Sequence, residues 1–484
     1  GEAGRGGRVG SDAARALPST PVEAEPVRYG LLLVLLAGQL MANMDNAIVN
    51  VAAPAVRADL GATGGQLELI VAIYILAYAL LLPGGARLGD MRGYRSVYLG
   101  GVATFTVASL VCGVAPDPLV LIVARAVQGL GAALMVPQIL TGIQLAFTGQ
   151  ARVRALGLYA VTLSAGAVLG QVAGGLIVHV DLLGLSWRPA FLINVPVGAA
   201  LLWCGSRMLP AKGRTRARRL DRTGMLALTV AMVLLVFPLV FGREHGWPPW
   251  TWLSLGLSVP AFAAFVLVER NVAGRGGYPF VDLGVLRIRA VAWGLCAIAV
   301  SHTTYAAILF TLPQHLQAGL GYSALWAGGN VAVWAAMFGV AAALWRRIPA
   351  RARHLASPAG YALLAFAYVG IAITVAAGGS GSAVLVVLLG FGGLGLGLGY
   401  LPLVATFTSS VGSHQAADLS GLITTVLQLF GVVGVAAFGT LYFALADAPV
   451  PAPSVHAYAV LSLIFATAAA VATVAAAVSA RRPR

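Results

Sequence analysis

The sequence predicts an all-α integral membrane protein of fourteen transmembrane helices: two pseudo-symmetric six-helix bundles with an extra two-helix insertion. Three observations predict it. The 484 residues are 59% hydrophobic and only 10% charged, with a mean hydropathy of +0.88, whereas a soluble domain carries roughly 25% charged residues. The apolar residues fall in long, unalternating runs such as 31–40 and 460–478. The basic residues collect in every second loop. Only helices and closed barrels satisfy their own backbone in lipid. A barrel strand reads as an alternating segment of ~10 residues, so unalternating runs that supply the ~20 residues of a spanning helix select the bundle.

The spans are expected at 29–50, 66–86, 97–115, 119–142, 156–179 and 190–209, then 224–242 and 251–268. The last six lie at 290–313, 325–345, 356–377, 383–409, 419–445 and 457–479. The run 383–409 holds Gly390, Gly392, Gly393, Gly395, Gly397 and Gly399 and has room for a kink.

Charge orients these spans, because Lys and Arg accumulate on the cytoplasmic side. With the N-terminus cytoplasmic, that side collects Arg92, Arg95, Arg152 and Arg154, the stretches 212–222, 270–289 and 346–353, and Arg481, Arg482 and Arg484. The outside keeps Arg57, Arg188 and Arg243, while Arg125 lies within a span. Both termini are therefore expected in the cytoplasm, with the chain in the plasma (inner) membrane. The net charge of +15 then needs no nucleic-acid partner. The division that follows is a disordered tail 1–27, an N-terminal bundle 28–209, a basic linker 210–223, an inserted pair 224–270, a loop 271–289, a C-terminal bundle 290–479 and a tail 480–484.

Catalytic chemistry finds little support. Cys112, Cys204 and Cys296 sit in separate apolar runs and read as small hydrophobes, with no disulfide or metal spacing. The glycines of 390–399 lie inside an apolar run rather than between strand and helix, so a dinucleotide reading fails its context. No P-loop supports ATP-driven pumping, and neither a metalloprotease motif nor a nucleophile elbow is present. No enzyme activity, metal or cofactor is expected.

Three ordered motifs carry more. GARLGDMRGYRS at 85–96 is a cytoplasmic loop in which Gly93 permits a tight turn, while Asp90 and Arg95 can bond neighbouring helix ends. LIVARAVQGLGAA at 121–133 places Arg125, Gln128, Gly129 and Ala132 on one helix face. An arginine at that depth is costly unless it faces protein or water with a partner, or snorkels to the interface. MANMDNAIVNVAAP at 41–54 contains Asp45, the only acid placed well inside a span. Asp45 and Arg125 each lie about five residues outward of their span centres, ~7–8 Å at 1.5 Å per residue, so they can meet. A carboxylate whose cation is near or absent gains or loses charge accordingly, which suits a proton carrier; a purely structural ion pair is the alternative. Asn43, Asn46 and Asn50 share another face of that helix, expected nearer the cavity or the opposite half, with Asp45 turned toward the fourth span.

Together these segments resemble the major facilitator superfamily, in its fourteen-span drug:proton antiporter branch. The 85–96 loop resembles the family's signature loop, with Ala86, Met91 and Tyr94 departing from the usual residues. GAVLGQVAGG at 166–175 resembles the antiporter motif of the fifth span, with Gly166, Gly170 and Gly174 as a small-residue ridge and Gln171 in place of proline. WRPAFLINVPVG at 187–198, LDRTG at 220–224, YPFVDLGVLRIR at 278–289, LPQHLQAGLGYSALWAG at 312–328 and DLSGLITTVLQLFGVVGVAAFGT at 418–440 extend the likeness over residues 28 to 445.

The resemblance implies proton-coupled efflux of small lipophilic compounds by alternating access, without a cofactor and driven by the proton gradient; a monomer is expected. Asp45 and Arg125 are then the proton-coupling residues, and Asp90, Gly93, Arg95, Gly166, Gly170 and Gly174 gate the contact between halves. Substrate-lining candidates are Asn43, Asn46, Tyr74, Gln128, Gln138, Gln171, His302, Tyr305, Trp326, Asn330, Trp334 and Gln428. The tenth span holds no acid, which points to neutral, singly charged or zwitterionic cargo. A carrier of the same fold for a lipid, amino acid or sugar, or a symporter, is the alternative.

Overall fold

The computed structural model describes residues 25–181, 184–210, 222–277, 279, 283–410, 413–446 and 450–480. The tails expected at 1–27 and 480–484 and the basic linker thus fall almost wholly outside the described residues. The described chain contains fourteen helices long and apolar enough to cross a bilayer and no strand. In order, the helices are α1 (Glu25–Leu60), α2 (Gly64–Arg92), α3 (Tyr94–Gly113), α4 (Pro118–Ala146) and α5 (Gly149–Val180). The short α6 (Pro189–Leu192) and α7 (Asn194–Met208) together make the sixth span. Then come α8 (Arg222–Phe241), α9 (Pro249–Gly274), α10 (Arg289–Pro313), α11 (Ala324–Leu344), α12 (Arg353–Ala376), α13 (Ala383–Ser410), α14 (Ser413–Leu445) and α15 (Pro451–Ala480).

Every expected span is recovered, but the helices outrun the apolar stretches that announced them. α1 has 36 residues, about 54 Å at 1.5 Å per residue, against a hydrocarbon core of about 30 Å. The longer helices bury acids that hydropathy left at span ends: Glu68 in α2 and Glu269 in α9 are each 1% exposed. Asp45 is therefore not the only acid inside a helix. α13 runs unbroken through its glycines. Cβ atoms at Gly393, Gly395 and Gly397 would lie 2.1 Å from Trp334 O, 2.7 Å from Leu364 N and 2.5 Å from Ala341 Cβ. The glycine run thus serves close packing on α11 and α12.

Helix starts at the arginine-poor end are fixed locally. Thr63 and Gln66 form a reciprocal capping box on α2, Asp117 accepts from Leu119 N and Val120 N to start α4, and Ser323 caps α11. Each satisfies backbone donors that lipid cannot.

The two six-helix bundles pack by one plan. In the first, α1 packs on α5, α2 on α4, α3 on α4 and α3 on α7; in the second, α10 packs on α14, α11 on α13, α12 on α13 and α12 on α15. The bundles meet through α5 against α11 and α2 against α14, itself a symmetric pair of contacts. α8 packs on α9 and touches both α2 and α14. Apolar side chains such as Leu33, Val107, Val259 and Ile373 remain more than 60% exposed, the surface a bilayer covers.

Candidate functional site

Asp45 sits at the centre of the N-terminal bundle and is 0% exposed. Its helix turns it toward α4, where Arg125 Nη1 lies 2.6 Å from Asp45 Oδ2. Oδ1 accepts from Gln128 Nε2 at 2.8 Å and Asn194 Nδ2 at 2.7 Å. Three N–H donors and no acceptor surround the carboxyl, an arrangement that fits a carboxylate and leaves nothing for an acid proton to bond. Arg125 is held in turn: Nη1 also reaches Gln128 Oε1 at 2.8 Å, Nε donates to Ile70 O at 3.2 Å, and the guanidinium lies 4.2 Å from the Tyr74 ring centroid. Arg125 does not snorkel; its side chain is 0% exposed. A charge pair in such a site is stable only because its remaining hydrogen-bond positions are largely filled.

Two members of this cluster escaped the sequence reading. Asn194 opens α7, and Ser109 on α3 accepts from Asn194 Nδ2 at 2.9 Å while donating to Phe191 O at 2.9 Å. The signal was present in the segment 187–198, whose single asparagine is polar within an apolar span. That segment is anchored at its start: Trp187 Nε1 donates to Asp59 Oδ2 at 2.9 Å, and Arg188 Nη1 donates to Ala115 O at 2.8 Å. The sixth span is thereby fixed against α1 and α3 at the depth where Asn194 meets Asp45.

Of the residues expected to gate the halves, three glycines and Arg95 contact their own bundle. Cβ atoms at Gly166, Gly170 and Gly174 would meet Asn43, Ala47 and Ile48 of α1. The ridge therefore packs α5 within its own bundle, because those glycines face α1. The contact with the other half falls to the next face: Gly175 lies against Ala324 and Leu325, and Gln171 O against Gly328. Arg95 donates to Ser206 O of α7, again within the bundle. Gly93, at φ +92°, ends α2 and starts α3, with Asp90 half-buried beside it.

A cavity of about 260 Å³ lies between the bundles. Its wall is apolar and aromatic: Leu163 and Ala167 from α5, Ile298, Ser301, His302 and Tyr305 from α10, Phe338 from α11, Leu396 and Tyr400 from α13, and Leu427 from α14. His302 and Tyr305 are tilted against each other with ring centroids 5.3 Å apart. These two are the substrate candidates placed in the wall. Asn43 borders it, donating to Leu163 O at 3.2 Å. Asn46 and Gln428 are half-buried in α1 and α14. The others are engaged away from it. Tyr74 and Gln128 belong to the Asp45 cluster, and Gln138 donates to Gly85 O at 2.8 Å in the α2–α4 seam. Gln171 is buried at the α5–α11 contact, and Asn330 donates to Trp326 O at 2.8 Å. Trp334 is buried against Tyr368, with ring centroids 5.8 Å apart. These side chains are buried in helix seams, where Gln171 Oε1, Asn330 Oδ1 and Trp334 Nε1 have no hydrogen-bond partner among the described residues.

Contacts closing the cavity lie at the arginine-poor end. Besides Gly175 and Gln171, Gln317 Nε2 donates to Val51 O at 2.9 Å from a π-helical turn that extends α10, and Arg57 stands 4.8 Å over the Phe443 ring.

Comparison with known proteins agrees with this architecture. The chain is 36% identical over 422 residues to the probable actinorhodin transporter of Streptomyces coelicolor, covering 86% of this chain and 73% of that one. It is 34% identical to the cephamycin export protein CmcT of Amycolatopsis lactamdurans, covering 85% and 84%. It is 32% identical to the puromycin resistance protein pur8 of Streptomyces alboniger, covering 88% and 85%. Among solved structures, a bacterial homologue of the human lysosomal transporter Spinster, inward-facing and occupied, superposes with a TM-score of 0.65 at 15% identity, over 94% of this chain and 97% of that one. The sequence profile of the Major Facilitator Superfamily matches residues 35–435, and the chain belongs to that family of multi-pass membrane transporters.

Proposed function

We propose that this protein exports small lipophilic compounds in exchange for protons by alternating access, with Asp45 carrying the proton. Export is supported by the relatives named for the export of actinorhodin and cephamycin and for puromycin resistance. The apolar, aromatic cavity, with no charged side chain among its described lining residues, supports lipophilic, weakly charged cargo. The observation that carries proton coupling is the Asp45 site itself: a fully buried carboxylate whose counter-ion sits on another helix.

The arginine distribution supports both termini in the cytoplasm of a plasma-membrane protein. The closed end is then the outer one, and the cavity belongs to an inward-facing conformation. In it Asp45 is an ionised partner of Arg125, ready for cargo to enter. Opening to the outside separates α1 from α4, and a proton taken up there neutralises Asp45 and frees Arg125. Return to the inward form releases that proton, because Arg125, Gln128 and Asn194 again demand a carboxylate. The protein works as a monomer, and the proton gradient replaces any cofactor.

Proteoliposomes with an imposed proton gradient test the reading. Asp45→Asn is expected to abolish gradient-driven uptake of a lipophilic dye while leaving downhill movement. Gradient-driven transport persisting in that variant overturns Asp45 as the carrier.

A further inference from the structure

The outer closure contains a second carboxyl, which shares one threonine hydroxyl with a backbone carbonyl. Glu68 of α2 is 1% exposed. Its Oε2 lies 3.0 Å from Thr440 Oγ1 of α14, and the same Thr440 Oγ1 lies 2.6 Å from Leu239 O of α8. A threonine hydroxyl has one hydrogen to donate, and a carbonyl oxygen can only accept. Thr440 is placed to donate to either oxygen, and its one hydrogen goes to the nearer, Leu239 O at 2.6 Å; the 3.0 Å contact with Glu68 is then a hydrogen bond only if Glu68 donates. An ionised carboxylate cannot donate; a carboxylic acid can. The contrast with Asp45, ringed by N–H donors, is direct.

This one hydroxyl joins three parts of the molecule: the N-terminal bundle through Glu68, the C-terminal bundle through Thr440 and the α8–α9 pair through Leu239. The surroundings are close. A Cβ at Gly439 would lie 2.9 Å from Glu68 Cγ, and Phe310 adjoins the same point. The charged groups facing Glu68 are Arg57 on α1 and Arg243 and Glu244 just after α8, with Tyr442 of α14 beside Arg57. Arg57 is over Phe443, Glu244 accepts from Gly65 N at 2.8 Å, and Tyr442 bonds Ser454 at 2.9 Å.

We infer that Glu68 is a proton-operated latch on the outer closure: protonated, it ties α2 to α14 and α8, and on losing its proton it releases them. The inference takes alternating access as given and adds the trigger for outer opening. The step balances simply. The Glu68 O–H bond breaks, the proton passes to water on the outer side, and the carboxylate is solvated as the bundles part. Closure reverses this with a proton drawn from the same side. Glu68 therefore times the gate and adds nothing to the proton count of transport. Acid outside favours closure and alkali favours opening, with the closed-to-open ratio changing by at most about tenfold per pH unit for one linked proton.

The test reads gate distance and needs no substrate. In a background lacking Cys112, Cys204 and Cys296 and retaining efflux, Ala58→Cys on α1 and Ala383→Cys on α13 carry spin labels, and pulsed EPR follows their separation in nanodiscs from mildly acid to mildly alkaline pH. The labelled parent is expected to pass from a short-distance to a long-distance population as pH rises. Glu68→Gln, whose amide N–H donates where the acid O–H did, stays short throughout. Thr440→Ala removes the acceptor of the Glu68 proton and moves opening to lower pH. Asp45→Asn, which loosens the hold of Arg125 on α2, still opens with rising pH but does so at lower pH than the parent. A parent that does not open with rising pH, a Glu68→Gln protein that titrates like the parent, a Thr440→Ala protein with unchanged pH dependence, or loss of the transition in Asp45→Asn each overturn the latch. Failure of the export reading is seen separately, as efflux from cells that an uncoupler does not touch.

Discussion

Asp45→Asn changes one atom in a fully buried site, and its cost follows from which donors that site presents. In the native cluster Oδ1 accepts from Gln128 and Asn194 while Oδ2 accepts from Arg125 at 2.6 Å. The amide oxygen can replace only one of these carboxylate oxygens. If it keeps Gln128 and Asn194, the amide N–H₂ is directed at Arg125 Nη1, donor against donor, beside a guanidinium that has lost its counter-ion. Removing one member of a buried pair costs about 3–5 kcal/mol, whereas replacing both with apolar groups is close to neutral. Asp45→Asn is therefore expected to lose about 3–5 kcal/mol, and adding Arg125→Leu is expected to restore at least roughly half. The recovery stays partial because Ile70 O and Gln128 Oε1 lose a donor. Equilibrium unfolding in mixed micelles, followed by tryptophan fluorescence, measures both. A loss below about 1 kcal/mol for the single variant is what a neutral, hydrogen-bonded Asp45 would give, and it would refute the ionised pair.

Four further substitutions separate the roles assigned above. Arg125→Lys keeps a positive charge but cannot reach Asp45, Gln128 and Ile70 O together from one nitrogen; it should fold, with a loss of about 1–3 kcal/mol, and lose gradient-driven uptake while retaining downhill flux in the proteoliposome assay. Gly175→Leu, whose Cβ would sit 2.7 Å from Ala324 O, should disfavour the closed outer end by about 1–3 kcal/mol and lengthen the spin-label distance. Gly170→Leu, crowding Ala47 inside one bundle, should lower unfolding stability by a similar amount without moving that distance. Tyr305→Ala removes a cavity ring worth about 0.5–1.5 kcal/mol in aromatic contact; competition assays should show a several-fold loss for aromatic substrates, and an equal loss for aliphatic ones would count against ring contact.

What the sequence disclosed follows from what each residue's neighbours must be. Span number was legible because a misplaced helix would move whole arginine clusters across the bilayer, an error that Arg152–Arg154 or Arg346–Arg347 make visible. The meeting of Asp45 with Arg125 was legible because a buried charge of either sign needs the other. Asn194 and Ser109 were not, because an isolated polar side chain in an apolar run satisfies itself in many ways and sequence does not say which helix it faces. The glycines at 166, 170 and 174 read correctly as a packing ridge, yet which neighbour they pack on depends on a rotation of α5 that spacing leaves open. Glu68 drew no attention because it lies at the edge of an apolar run that begins at 66, while its helix begins at Gly64 and is buried from Gly65.

The two buried carboxyls differ in what their neighbours ask of them. On the proposed mechanism Asp45, which accepts from three N–H donors, is ionised in the closed-outside form, while Glu68, which shares the Thr440 hydroxyl with Leu239 O, holds its proton in that same form. α2 connects them. Arg125 Nε grips Ile70 O, two residues beyond Glu68, so the guanidinium that neutralises Asp45 also fixes the turn of α2 from which Glu68 reaches Thr440. Protonation of Asp45 weakens the hold of Arg125 and loosens that turn; deprotonation of Glu68 frees it from α14 and α8. A proton gained at one carboxyl and a proton lost at the other thus act on one helix in the same sense. On the proposed mechanism, Glu68 recloses the gate with a proton from outside once Asp45 has been loaded from the same side.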